Sequence, residues 1–129
     1  MTAPTWMHAH AESLQQALSE ALAGPSLLRL MLRYHVGLAD AEGHPTTDGG
    51  KLLRPRLLLF LAEELGVSSN EAMPAAVALE LVHAFSLLHD DIQDRDRTRR
   101  GRPAAWTVWG EAQAINAGDL LHSIAIRTA

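Results

Sequence analysis

Residues 77–94 read VALELVHAFSLLHDDIQD. Val77, Leu79, Leu81, Val82, Phe85, Leu87 and Leu88 make this stretch apolar almost all round a helix, which places it at the centre of a helical bundle. It ends in three carboxylates, Asp90, Asp91 and Asp94. Helical periodicity puts His83, Asp90 and Asp94 on one face, with Asp91 one residue round. Carboxylates one turn apart repel each other unless a cation or an arginine compensates. Arg95, Arg97, Arg99, Arg100 and Arg102 follow at once, with Gly101 and Pro103 fixing the path of the chain around them.

Two readings fit this acid-then-base pattern. A solvated helix end with ordinary Asp–Arg pairing is the plain one. The other adds a third party: a hard cation such as Mg2+ on the carboxylates, a diphosphate on the cation, and guanidinium groups on the remaining negative charge. A carboxylate pair ending a buried helix faces a cavity more often than open water, which favours the metal reading. A histidine inside an apolar helix is ordinarily a satisfied core residue, so His83 carries weight only in that context.

Outward from this helix, the pattern stays helical. Residues 9–23 carry Leu14, Ala17, Leu18, Ala21 and Leu22 on one stripe, ended by Gly24-Pro25. A second helix is expected from Ser26 to about Ala39, with Leu27, Leu30, Met31, Tyr34 and Leu38 inward. Residues 40–50 are expected to be a loop. A third helix starts near Pro55 and ends at Gly66, and its run Leu57–Leu61 is expected to be buried on all sides. Ser69 or Asn70 caps the central helix. Gly101-Arg102-Pro103 breaks the chain, and a fifth helix runs from about Gly110. One all-α domain, residues 1–129, is the result. Leu120, Leu121, Ile124 and Ile126 then need covering by a partner or by more chain.

The composition narrows the function. The 129 residues are 47% apolar, contain no cysteine and carry a formal charge of −4, which argues against a general nucleic-acid binder. The N-terminus lacks the basic and apolar regions of a signal peptide, and no apolar stretch was expected to reach the roughly 20 residues of a membrane span. A cytoplasmic location is the expectation. Of the eleven basic residues, the one lysine is Lys51. It sits in Gly49-Gly50-Lys51-Leu52-Leu53-Arg54-Pro55, where Lys51 and Arg54 flank a helix N-terminus, an end that favours anions and disfavours cations. Cations there call for an anionic ligand, or else are two surface charges on a loop.

Five blocks together resemble one family. They are Gly49–Pro55, Glu80–Asp94, Arg99–Pro103, Gly110-Glu111-Ala112 and Asn116–Leu121, in the order and spacing of the trans-isoprenyl diphosphate synthases, the polyprenyl synthetases that include farnesyl and geranylgeranyl diphosphate synthases. The resemblance covers about residues 45–125. It implies an isoprenoid-synthase-type bundle around a deep cavity, of which about the N-terminal half, some five helices, is present. It implies a Mg2+-dependent condensation of an allylic diphosphate with isopentenyl diphosphate by ionisation, attack and proton loss. By that likeness Asp90, Asp91 and Asp94 hold the metal on the allylic diphosphate and Arg99 contacts it. Lys51, Arg54, His83 and Arg100 match the isopentenyl diphosphate site. Phe85, with its neighbour Ser86, matches the position that limits product length, and an aromatic there suggests a short product.

Leu52 stands where many members carry arginine, and Ala104 where threonine is frequent. The family's second aspartate-rich motif does not occur in the 129 residues, so the chain alone is expected to be inactive and to need a homodimer partner or a C-terminal half. Two alternatives remain: a non-catalytic helical module that binds diphosphate or a partner, and a metal-dependent phosphohydrolase built on His89-Asp90.

Overall fold

A computed structural model describes residues 4–47 and 49–129. Among these residues a 3-10 turn (Thr5–Met7), six α-helices and one short hairpin follow in order: α1 (Ala11–Ala21), α2 (Leu27–His35), α3 (Leu53–Glu64), α4 (Ser69–Asp94), β1 (Thr98–Arg99), β2 (Arg102–Pro103), α5 (Ala105–Trp109) and α6 (Glu111–Thr128). The all-α expectation holds apart from the hairpin.

In α1 the predicted stripe is the buried one, with Leu14, Leu18 and Leu22 all inside. Its C-terminal carbonyl oxygens accept from α2: Arg29 Nη1 donates to Ala21 O at 2.8 Å and Arg33 Nη1 to Leu22 O at 2.9 Å. Cations at that end answer both the unpaired carbonyls and the helix dipole. Ser26 caps α2 by accepting from the Arg29 N–H. This helix ends at His35, four residues before the expected Ala39, because Gly37 turns the chain at φ 86°. Leu27, expected inward, is exposed as the first helical residue.

The predicted loop is present, with an isolated bridge between Ala39 and Pro45; its Asp48 lies outside the described residues. Pro55 falls in the first turn of α3, where its missing N–H costs nothing. The expectation that Leu57–Leu61 is buried on all sides is wrong. Only Leu59 is fully buried, while Leu57 and Leu61 are 41% and 50% exposed. Five consecutive apolar residues cover more than a full turn, but α3 packs mainly against α4, so the far side stays outside.

The central helix is α4, packed most extensively on α6 and also on α3, α1 and α5. Ser68 caps it, one residue before the expected Ser69 or Asn70. Its Oγ accepts from the Glu71 N–H and donates to the Glu71 carboxylate. Val77, Leu81, Ala84, Leu88 and Ile92 are buried, whereas Leu79 and Val82 are exposed, so α4 is apolar all round but not covered all round. By length and composition it also meets the requirement for crossing a membrane, contrary to expectation. Its place in the bundle accounts for the same apolar character.

Gly101 does break the chain, as the turn of a hairpin. Arg100 and Gly101 have φ of 52° and 75°, and Arg99 pairs with Arg102 across them. Two left-handed residues match the twist of a two-residue hairpin. In α6, Leu121 and Ile124 are buried and Leu120 partly buried against the bundle itself, contrary to the expectation that a partner or more chain covers them; Ile126 is exposed.

Candidate anion-binding site

A cavity of about 260 Å³ lies where four segments meet. Gly50, Lys51, Leu53 and Arg54 come from the loop and first turn of α3, Glu80, His83, Ala84 and Leu87 from α4, His35 and Val36 from the end of α2, and Arg100 from the hairpin turn. The four residues matched to an isopentenyl diphosphate site, Lys51, Arg54, His83 and Arg100, thus face one space, although 49 positions separate the first from the last.

Local structure explains how each gets there. Gly49 lets the loop pass close to α2, since a Cβ on it would come to 3.0 Å from the Val36 carbonyl oxygen. Leu52 is left-handed at φ 57° and turns the chain into α3, which sets Lys51 and Arg54 around the helix N-terminus. Arg100 is held by the turn and by donating to the His35 carbonyl oxygen. Arg102, expected among the phosphate-facing group, instead donates to the Tyr34 and Ala39 carbonyl oxygens and lies over the Tyr34 ring, clamping the hairpin to α2. Arg95 pairs with Glu111 at 2.7 Å, and Arg95 and Arg97 both lie over Trp106.

The cavity is strongly cationic. Arg54 Nη1 donates to His83 Nε2 at 3.2 Å, so that nitrogen carries no proton. Burial, then Arg54, Arg99 and Arg100, lower the His83 pKa and keep the imidazole neutral. Burial lowers the Arg100 pKa as well, with Arg99 and Arg102 adding repulsion. An arriving anion would offset the repulsion among these cations.

The carboxylates at the end of α4 do not act alike. Asp91 is buried and grips Arg99 with both oxygens, Nε to Oδ2 at 2.9 Å and Nη2 to Oδ1 at 2.6 Å. That pairing raises the Arg99 pKa. Asp90 and Asp94 are exposed and, among the described residues, have no ion-pair partner within 4.0 Å. Neighbouring helical positions point about 100° apart, so one carboxylate turns inward while the two a full turn apart share the outer face. The expected set of three therefore divides into a paired Asp91 and an available Asp90 and Asp94. Two outward carboxylates suit Mg2+, which commonly binds one or two carboxylates and completes its shell with water and phosphate oxygens. Phe85 packs its ring against the rings of His89 and His122, each with centroids 4.8 Å away, and Ser86 Oγ donates to the His83 carbonyl oxygen at 2.7 Å.

Among the described residues, the one group of three possible metal ligands within 4.8 Å of each other is Asp40, Glu42 and His44. It is a turn closed on itself: Asp40 Oδ1 accepts from the Glu42 and His44 N–H groups, and Oδ2 bonds His44 Nδ1. The phosphohydrolase alternative needs further ligands beside His89-Asp90, and none assemble there among the described residues. Glu80 and His35 were missed by sequence reading. Glu80 lies one turn before His83 on the same face, a polar residue in an apolar helix, and was detectable. His35 reaches the cavity only through tertiary packing.

Comparison with known proteins gives the family. The family model for polyprenyl synthetases matches residues 37–129. The chain is 46% identical over 99 residues to a (2E,6E)-farnesyl diphosphate synthase of Mycobacterium tuberculosis, covering 76% of this chain and 28% of that protein. It is 58% identical over 86 residues to a geranylgeranyl diphosphate synthase of Methanosarcina mazei, covering 67% and 26%. The solved polyprenyl synthetase of Streptomyces coelicolor superposes with a TM-score of 0.78 at 41% identity, over 95% of this chain and 36% of that one. An isoprenoid synthase family member from Thermotoga neapolitana gives 0.79 at 33% identity, over 91% and 43%. The chain thus spans between about a quarter and under a half of the proteins it matches, and it belongs to the polyprenyl synthetase family.

Proposed function

We propose that this chain supplies one wall of a short-chain prenyltransferase, with isopentenyl diphosphate held in the Lys51–Arg54–His83–Arg100 cavity and an allylic diphosphate at the α4 end beside Asp90, Asp94 and Arg99. The observation that carries this reading is the convergence of those four groups on one cavity at a helix N-terminus. Lys51 offers a mobile point charge, and Arg54 and Arg100 offer planar forks for phosphate oxygens. His83, neutral beside Arg54, donates from its other ring nitrogen and spreads no extra charge into the site. Preorganised cations hold an anionic ligand without reorganising as charge shifts.

Mg2+, when bound at Asp90 and Asp94, would supply charge that stabilises a departing diphosphate. Asp91 serves this end indirectly: its grip on Arg99 holds that guanidinium within reach of the Asp90 charge. Phe85 and Ser86 lie one to two turns before them on α4, where bulk would limit the length of a growing chain. The 129 residues carry one aspartate-rich stretch, and on this reading they bind diphosphates without turning them over. A homodimer or a C-terminal half would complete the site.

Calorimetric titration of the purified chain with inorganic diphosphate tests the cavity. Lys51→Ala and Arg54→Ala should each weaken binding roughly tenfold or more, the scale of one charge-assisted hydrogen bond. Asp40→Asn, on a turn that does not line the cavity, should not change it. Binding that ignores the first two changes would remove the reading.

A further inference from the structure

Glu80 is the one acidic residue lining the cationic cavity. It also lines an adjoining cavity of about 110 Å³ beside Arg56 and the Gly49-Gly50 loop, so it stands in the wall between the two. Among the described residues it has no ion-pair partner within 4.0 Å. A half-buried carboxylate that stops short of the guanidinium groups around it is unusual, because pairing is the ordinary way to offset burial.

Of the six titratable groups that line these cavities with it, four are cationic. Lys51 faces it from the loop, Arg54 and Arg56 from α3, Arg100 from the hairpin turn, His83 from its own helix and neutral His35 from the end of α2. Asp91 is the next carboxylate, and Arg99 holds it. Before a ligand binds, Arg54 and Arg100 share a partly dry space with no anion other than Glu80. A phosphate group entering that space would meet three attracting charges and one repelling charge.

We propose that Glu80 is the resident counter-anion of this cavity: a positioning residue that offsets the Arg54 and Arg100 charges before ligand binds and opposes the incoming phosphate group. It thereby sets how tightly the site holds a diphosphate and how that affinity varies with pH. Burial raises the Glu80 carboxyl above its ordinary range, and Arg54 and Arg100 act against that rise. An incoming phosphate adds negative charge and favours uptake of one solvent proton onto a Glu80 oxygen. Where Glu80 is already protonated it opposes nothing.

This inference rests on the diphosphate reading of the cavity, and its test separates the two. Inorganic diphosphate is titrated into the purified chain and into Glu80→Gln and Glu80→Asp across a range of pH, with Arg54→Ala as reference. Glu80→Gln should bind about tenfold more tightly above neutral pH, the effect of removing one charge a few ångströms from the ligand in a half-wet site. The ratio of variant to parent affinity should fall towards one as pH drops and the parent protonates at Glu80. Glu80→Asp, which keeps the charge but withdraws it, should lie between the two and carries the test if Glu80→Gln does not fold. Weaker or unchanged binding in these variants, with Arg54→Ala still impaired, would overturn the role of Glu80 alone. Binding that Arg54→Ala leaves intact would overturn the diphosphate reading and this proposal with it.

Discussion

His35 is buried where α2 meets α4, and its Nε2–H donates to the Ala84 carbonyl oxygen at 2.8 Å. A carbonyl can only accept, so Nε2 carries a proton, and burial favours the neutral ring. Burial is the main reason its pKa falls to about 4, with the positive charge of Arg100 adding to the fall; the Ala84 bond and Asp91 oppose it. The unfolded chain would titrate this group near 6.5. Between those values the unfolded state binds the extra proton, so the stability His35 contributes is complete above pH 6.5 and is lost as pH falls towards 4. The loss should be about 3 kcal/mol in denaturant titrations, at about 1.4 kcal/mol per pKa unit. His83, also lowered, adds in the same direction. His35→Gln keeps a donor near Ala84 and removes the titration, so its acid limb should be flatter; an unchanged limb would mean His35 is not the group responsible. Sequence reading gave His35 no role, because it reaches the cavity only through tertiary packing. Lys51, Arg54 and Arg100 sit in local patterns that ask for an anion, whereas His83, a histidine in an apolar helix, was grouped with them by the family resemblance alone. The division of Asp91 from Asp90 and Asp94 was half legible: periodicity separates them, but only packing shows that Arg99 takes the inward one.

The contact between α4 and α6 depends on a missing side chain. A Cβ on Gly118 would fall 2.2 Å from Nε2 of His89, whose ring is already wedged against Phe85. Gly→Ala in an open helix stabilises by up to about 1 kcal/mol. Here the sign should reverse, because the two helices must part or His89 must leave its place. Gly118→Ala is expected to lower stability by about 1–3 kcal/mol in thermal or chemical unfolding. His89→Ala in the same chain should recover part of the loss, a coupling that a general helix effect would not produce. Equal stability of Gly118→Ala and parent would show that His89 moves freely. The sequence placed every long helix, because caps and apolar periodicity are local. It missed the hairpin, because its first left-handed position holds Arg100 where Asn, Asp or Gly would announce a turn. It also read α3 as covered on every side, since periodicity counts apolar residues and does not say how many neighbours a helix has.

That shortage of neighbours is a property of the whole bundle. Leu53, Leu57 and Leu61 recur at every fourth residue of α3 and are 39–50% exposed, and Leu79 and Val82 are exposed on the adjacent α4. Scattered exposed leucines are ordinary, but a stripe along one helix is a contact surface for other molecules. The purified chain should therefore bind a hydrophobic dye and self-associate as its concentration rises. Leu57→Gln with Leu61→Gln should suppress both. The pair should cost less than about 1 kcal/mol in stability, since half-exposed side chains have little burial to lose. Leu59→Ala, between them and fully buried, should cost about 2–5 kcal/mol and leave association in place, provided the chain stays folded. Adjacent residues of one helix would then separate what holds the bundle together from what it presents outward. Dye binding and association that persist in the glutamine pair would locate the adhesive surface elsewhere, with Ile115 and Ile126 on α6, at 41% and 64% exposed, next to be changed.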